Sequence, residues 1–169
     1  MLIKTIRGFK PEWGKNCFFA ENSSIIGDVI FGDNCSVWFN SVIRGDVNKI
    51  RIGNNVNIQD GAVVHGTYQK SSTKIGNNVS IGHNAIIHGC ELKSNVLIGM
   101  GSIIMDDSII KSNSIIAAGS VVIQKTITEE NSIYAGIPAK KIKDISKELI
   151  TNEIERIAKN YIKYSGWYK

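Results

Sequence analysis

A period of six runs through most of this chain, and few folds can accommodate it. Ile25, Phe31, Val37 and Ile43 lie six apart. After an offset of nine come Ile52, Ile58 and Val64, and after one of eleven come Ile75, Ile81 and Ile87. After an offset of five the series resumes as Leu92, Ile98, Ile104, Ile110, Ile116 and Val122, so all sixteen positions are apolar. Two residues before each stands a second column: Ser23, Val29, Cys35, Ser41, Ile50, Val56, Ala62, Thr73, Val79, Ala85, Cys90, Val96, Ser102, Ser108, Ser114 and Ser120. Most of its members are small. An amphipathic helix repeats near 3.6 residues and a half-exposed strand near 2, and neither yields one large and one small column every six.

A coil of three short strands does. Each hexapeptide forms one side of a triangular prism, and successive turns stack at the ~4.8 Å strand spacing. The large residues then point into the axis, each contributing on the order of 2 kcal/mol of transfer free energy. Gly27, Gly32, Gly53, Gly76, Gly82 and Gly99, with Asn34, Asn55 and Asn78, are expected at the corners, where tight bends and positive φ are needed. The expected fold is mainly β, a parallel β-helix in a single domain. Strands in residues 1–19 cover the first coil, 20–135 form the prism, and 136–169 hold a closing turn and a C-terminal α-helix. Pro138, within Gly136–Lys140, keeps the ladder from continuing. Leu149, Ile150, Ile154, Ile157, Ala158, Tyr161 and Ile162 recur at helical spacing, with Thr151 as N-cap and Glu153 in the first turn. That helix is expected to pack along one face.

Composition narrows the function classes. A chain of 169 residues, 43% hydrophobic and only 8% aromatic, suits one domain with an aliphatic core. The net charge of +5 comes from scattered lysines. No basic block interleaves with aromatics, as nucleic-acid binding would need, so the charge reads as a solvated surface with a mild pull on small anions. No apolar run approaches the ~20 residues of a membrane span, and no signal-peptide core follows Met1-Leu2-Ile3-Lys4. A cytoplasmic location is expected, with neither nucleic acid nor membrane as partner. Cys17, Cys35 and Cys90 form no CxxC pair and leave an odd count, so they are expected to be free thiols in the packing.

The chain has three histidines, and the prism says where each points. The offsets of nine and eleven are taken as loops extruded at corners, and the offset of five as a deleted residue. Ile43, Val64 and Ile87 then share one face, and Ile58 and Ile81 the preceding one. Arg44, His65 and His88 each follow a core residue of the first set and form one outward column. Asp60 and His83 each lie two after a core residue of the second set and form a column near a corner. Rings ~4.8 Å apart can converge on one cation, since Zn–N bonds are ~2.0–2.1 Å. His83 precedes His88 by five residues, which span roughly 16 Å when extended and here turn a convex corner, so it faces away. A neighbouring copy can supply it. The symmetric outcome is a homotrimer with equivalent interface sites.

His65-x17-His83-x4-His88 inside hexapeptide repeats, with Arg44-Gly45-Asp46 one coil earlier and Asn57-Ile58-Gln59-Asp60, resembles the γ-class carbonic anhydrases over nearly the whole chain. The resemblance implies left-handed winding and metal ligation by His65, His83 and His88. It implies ion pairs of Arg44 with Asp46 and Asp60 across subunits, and Gln59 and Asn57 orienting oxygen and bicarbonate. A catalytic tyrosine is implied on the C-terminal helix, matched by Tyr161, with Tyr164 as reserve. The implied activity is reversible hydration of carbon dioxide to bicarbonate. Three neutral imidazoles leave a cation its charge and a vacant position for an acidified water. The implied cofactor is Zn2+, though the same ligands accept Fe2+ or Co2+. Val47 stands where the best-studied branch has an acidic residue, and the loop 66–74 contains no carboxylate, which places the chain in the short-loop branch and leaves its rate open. Two alternatives stand beside this reading. One is a hexapeptide acyltransferase, which would need a histidine free to act as base. The other is a metal-stapled trimer with little or no turnover. Arg44 with its aspartates can equally be a structural ion pair, and Gln59 with Asn57 a stacked amide ladder.

Overall fold

The computed structural model describes residues 1–168, which wind through three parallel β-sheets for about seven turns. The first face contains Leu2–Lys4, the opening parts of Ser24–Phe31 and Val42–Ile52, then Val63–His65, Ile86–His88, Ile103–Ile104 and Val121–Val122. The second takes Glu12–Trp13, the closing parts of the same two long strands, Thr73–Ile75, Glu91–Leu92 and Ile109–Ile110. The third runs Phe18–Phe19, Ser36–Val37, Asn57–Ile58, Val79–Ile81, Val96–Ile98, Ser114–Ile116 and Ser132–Gly136.

All sixteen large apolar positions are buried, none more than 5% exposed, and they form one continuous core with the small column. Serine suits that column because its hydroxyl fills little space and can return a hydrogen bond to a backbone carbonyl. Ser41 Oγ donates to Gln59 O at 2.7 Å, and Ser102 Oγ to Ala117 O at 2.9 Å. Cys35 and Cys90 are buried there and free, as the packing reading requires. The period also reaches beyond its aliphatic members. Phe19 precedes Ile25 by six and packs on the core, while Thr128 and Tyr134 continue the series past Val122 and are buried. Residues 1–19 therefore pair parallel as a coil of the prism itself, where separate covering strands were expected.

The corner between the second and third faces carries a ladder of amides. Asn16, Asn34, Asn55, Asn78, Asn95, Asn113 and Asn131 each adopt φ between 54° and 57°. Each side-chain Nδ2 donates to the Oδ1 of the next at 2.9–3.3 Å. Asparagine tolerates the left-handed region and its amide is both donor and acceptor, so one residue type meets both demands. Replacing Asn78 by Ala removes two ladder bonds and leaves a Cβ residue at positive φ. A loss of about 2–3 kcal/mol is expected, read from the urea midpoint; an unchanged midpoint would show the ladder to be without energetic weight.

Three expectations need correction. Of the six corner glycines, only Gly27 has positive φ, at 76°. The others are required by proximity: a Cβ on Gly53 would stand 2.8 Å from the Gly76 carbonyl carbon in the next coil. The offset of nine is no extruded loop, because Val42–Ile52 is one continuous strand. Gly45 pairs with Gly27 and Ile50 with Val29, so residues 46–49 bulge opposite Asp28. The offset of eleven is a loop, closed by Thr67 N donating to Ser71 O at 3.0 Å. The helix begins before Thr151. Ser146 is its N-cap, its Oγ accepting from Leu149 N at 3.2 Å, and Thr151 lies inside it.

At the far end of the prism, Ser132–Gly136 folds back antiparallel on Ala139–Asp144, with Pro138 in the connection, and the parallel ladder stops. The chain then runs as one helical rod through Lys147–Leu149, a wider π-helical stretch Ile150–Glu155, and Arg156–Ser165. Ile154 and Ala158 are buried as the rod packs along the third face. Trp38 anchors its end, with ring centroids 5.3 Å from Tyr161 and 5.5 Å from Tyr168. No helix among the described residues is long and apolar enough to cross a membrane.

Candidate metal centre

Arg44, His65 and His88 do form one outward column, at the edge where the chain leaves the first face. Ile43 pairs with Val64 and His65 with His88 in register. His65 Nδ1 lies 3.2 Å from His88 Nε2. Each ring's other nitrogen meets a carboxylate: His65 Nε2 is 3.0 Å from Asp46 Oδ1, and His88 Nδ1 is 2.5 Å from Asp106 Oδ1. Burial pushes both carboxyls up, but donors from Arg44 and His65 hold Asp46 below the usual range, and Thr67 and His88 do the same for Asp106. An ionised carboxylate only accepts, so these two ring nitrogens carry the hydrogens. The nitrogens that face each other are therefore both lone pairs. Burial lowers the His65 pKa, the Asp46 contact offsetting it only in part, which keeps this ring neutral.

Two lone pairs 3.2 Å apart repel unless a cation is shared between them. Ligands on a tetrahedral zinc-type ion with ~2.0–2.1 Å bonds stand about 3.3–3.4 Å from one another. The pair therefore fits a metal ion.

Local structure sets up each carboxylate. The bulge at 46–49 swings Asp46 onto both His65 and Arg44, whose Nη1 lies 2.6 Å from Asp46 Oδ2. Asp106 comes from the corner after Ile103–Ile104, one coil beyond His88, and its Oδ2 accepts from Thr67 Oγ1 at 2.6 Å. Gly89 makes room for it, since a Cβ there would fall 2.2 Å from Asp106 Oδ1. Sequence reasoning missed Asp106. Its signal was its place two residues after core Ile104, in the corner column that follows His88.

His83 stands at the opposite edge, where the chain enters the first face. Its Nδ1 is 2.9 Å from Asp60 Oδ2, so Asp60 serves this ring within the chain while Arg44 pairs with Asp46. Asn84 N donates to Asp60 O at 2.9 Å, which stacks the two corners. Gln59 is fixed by a relay in which its Nε2 donates to Asn57 Oδ1 at 3.0 Å and Asn57 Nδ2 to Ser80 Oγ at 2.7 Å. A cleft of about 360 Å³ lies between the third face and the helix, lined by Gln59, His83, Leu97, Ile157, Tyr161 and Tyr164. Burial, with the nearby Asp60 carboxylate, pushes the Tyr161 phenol up to about 12, so it stays a donor. Among the described residues of one chain, no three His, Cys, Asp or Glu side chains are grouped to hold a metal ion.

Residues 89–124 match the family described as bacterial transferase hexapeptide (six repeats). Gamma carbonic anhydrase 2, mitochondrial, of Arabidopsis thaliana is 40% identical over 157 residues, 90% of this chain and 56% of the relative. A carbonic anhydrase of Geobacillus kaustophilus is 39% identical over 168 residues, 99% of this chain and 91% of the relative. The chain belongs to the γ-class carbonic anhydrase family. Membership gives the prism its left-handed winding and, for γ-class carbonic anhydrases in general, implies a metal cofactor. The crystal structure of a hexapeptide transferase family protein from Anaplasma phagocytophilum superposes with a TM-score of 0.94 at 40% identity, covering 99% of this chain and 98% of that one. An N-acyltransferase from Bacillus cereus in complex with dTDP and coenzyme A, at 20% identity and a TM-score of 0.70 over 88% of this chain and 90% of that one, shares the fold alone with this γ-class carbonic anhydrase.

Proposed function

We propose that this chain reversibly hydrates carbon dioxide at metal sites shared between the copies of a homotrimer, His65 and His88 coming from one copy and His83 from its neighbour. The reading is carried by the two imidazole lone pairs held face to face by Asp46 and Asp106. The position of His83 supports the trimer. Each copy offers a two-ring edge and a one-ring edge on the same face, a heterologous contact that closes into a ring. Between those edges the outward column Val42, Val63, Ile86, Ile103 and Val121 is apolar and in register. Burying it against a neighbour would supply the driving force.

A zinc-type ion, when bound, supplies Lewis-acid activation of water near neutral pH. The chain's own groups do the rest. Asp46 and Asp60 fix their histidines in the ligating tautomer. Gln59, held by Asn57, presents its amide to the reacting oxygen. Arg44 attracts the bicarbonate anion, and Tyr161 donates a hydrogen bond from the cleft side. The apolar lining of the cleft admits carbon dioxide and keeps bulk water out. Proton release is expected to limit turnover, because Val47 and loop 66–74 provide no carboxylate.

Metal per chain, particle mass and stopped-flow hydration test this together. The wild type should bind metal, sediment as a trimer and hydrate carbon dioxide, while His83→Ala should lose metal and activity. Metal and trimer without turnover would favour a stapled assembly. Acetyl transfer that survives loss of all three histidines would overturn the proposal in favour of an acyltransferase.

A further inference from the structure

We infer that Asp106 is a positioning residue for the metal: held by Thr67, it orients the His88 ring and strengthens it as a donor. The inference rests on His88 being a ligand and goes beyond it. Both carboxylate oxygens are committed, Oδ1 to His88 Nδ1 at 2.5 Å and Oδ2 to Thr67 Oγ1 at 2.6 Å. The Asp106 side chain is only 17% exposed, and its backbone carbonyl is fixed by Lys125 N at 3.0 Å. A carboxylate that accepts the second ring hydrogen of an imidazole sets its tautomer, aims its free lone pair and raises its basicity. The adjacent residue provides the contrast. Asp107 ties down the same loop 66–72 through Ser71 Oγ at 2.7 Å, and the hydrogen bonds found for it reach no histidine. If Asp106 served only to fasten the loop, Asp107 would duplicate it, and the space left by Gly89 beside Asp106 would have no purpose.

Asp106→Asn and Asp107→Asn test this in the whole assembled protein, with Co2+ and Zn2+ affinities measured by chelator competition. Asp106→Asn should weaken both metals about 10–100-fold and shift the visible bands of the Co2+ form, while Asp107→Asn should change neither. Thr67→Val, which keeps the carboxylate but unties it, should move both readouts in the same direction and serves where Asp106→Asn does not fold. His88→Ala separates the two levels of the argument. If that variant binds metal as tightly as the wild type, the ligand reading itself fails. If it loses the metal while Asp106→Asn and Thr67→Val keep wild-type affinity and spectrum, the role given to Asp106 is overturned and His88 remains a ligand.

Discussion

Mixing His65→Ala chains with His83→Ala chains, each devoid of metal when pure, is expected to restore metal and carbon dioxide hydration. The geometry gives the amount. With random assortment about three-quarters of trimers are mixed, and each has one intact interface of its three, so about a quarter of the wild-type sites return. The intact site pairs the His65 and His88 edge of a His83→Ala chain with the His83 edge of a His65→Ala chain. A mixture of His65→Ala with His88→Ala has both lesions on the same edge and should recover nothing. Metal content and stopped-flow rates after co-refolding are the measurements. Equal recovery in the two mixtures, or none in either, would mean that the imidazoles are not shared in this way.

Ile81→Ala is expected to destabilise the apoprotein by about 3–4 kcal/mol, lowering its melting temperature by roughly 10 °C. Ile81 is fully buried and lies in register between Ile58 and Ile98. The coils of a solenoid touch only their neighbours, so a cavity here is bounded by other axis residues that cannot collapse into it without dragging a whole coil. The same logic predicts coupling. Ile81→Ala and Ile98→Ala should be non-additive, whereas Ile81→Ala and Ile25→Ala, several coils apart, should add. Differential scanning calorimetry on the four variants decides the matter; a shift below about 2 °C for Ile81→Ala would be incompatible with this packing.

The axis of the prism was legible in the sequence because every coil repeats the same demand: a large apolar residue such as Ile98 and a small one such as Val96 two before it, both pointing inward. The register then placed Arg44 with His65 and His88, and Asp60 with His83, since outward residues inherit their direction from core neighbours. What the pattern hid lies at its interruptions. Phe19 and Tyr134 belong to the series, but an aromatic does not look like its aliphatic partners, and Thr128 is polar. An offset of nine can be a loop or a bulge, and only the pairing of Gly27 with Gly45 shows that it is a bulge. That distinction decides where Asp46 points. Asp106 was hidden for a related reason: its contact with His88 depends on the missing Cβ of Gly89, a matter of ångströms at a corner and not of spacing. The early start of the helix followed from Ser146, whose capping role preceded the apolar residues used to locate it.

The three-sided cross-section restricts how such a chain can lengthen or shorten. Removing six residues beyond Val122 would turn everything downstream by a third of a revolution, carrying Pro138 and the terminal rod to a different side of the prism. Removing three hexapeptides together would lift the rod by one storey and leave its heading unchanged. Because the rod brings Tyr161 to the cleft beside His83, the spacing between the histidines and the C-terminus is quantised: changes in length preserve the reaction chamber only in whole storeys, or as excursions that leave and re-enter the wall at the same corner, as residues 66–72 do.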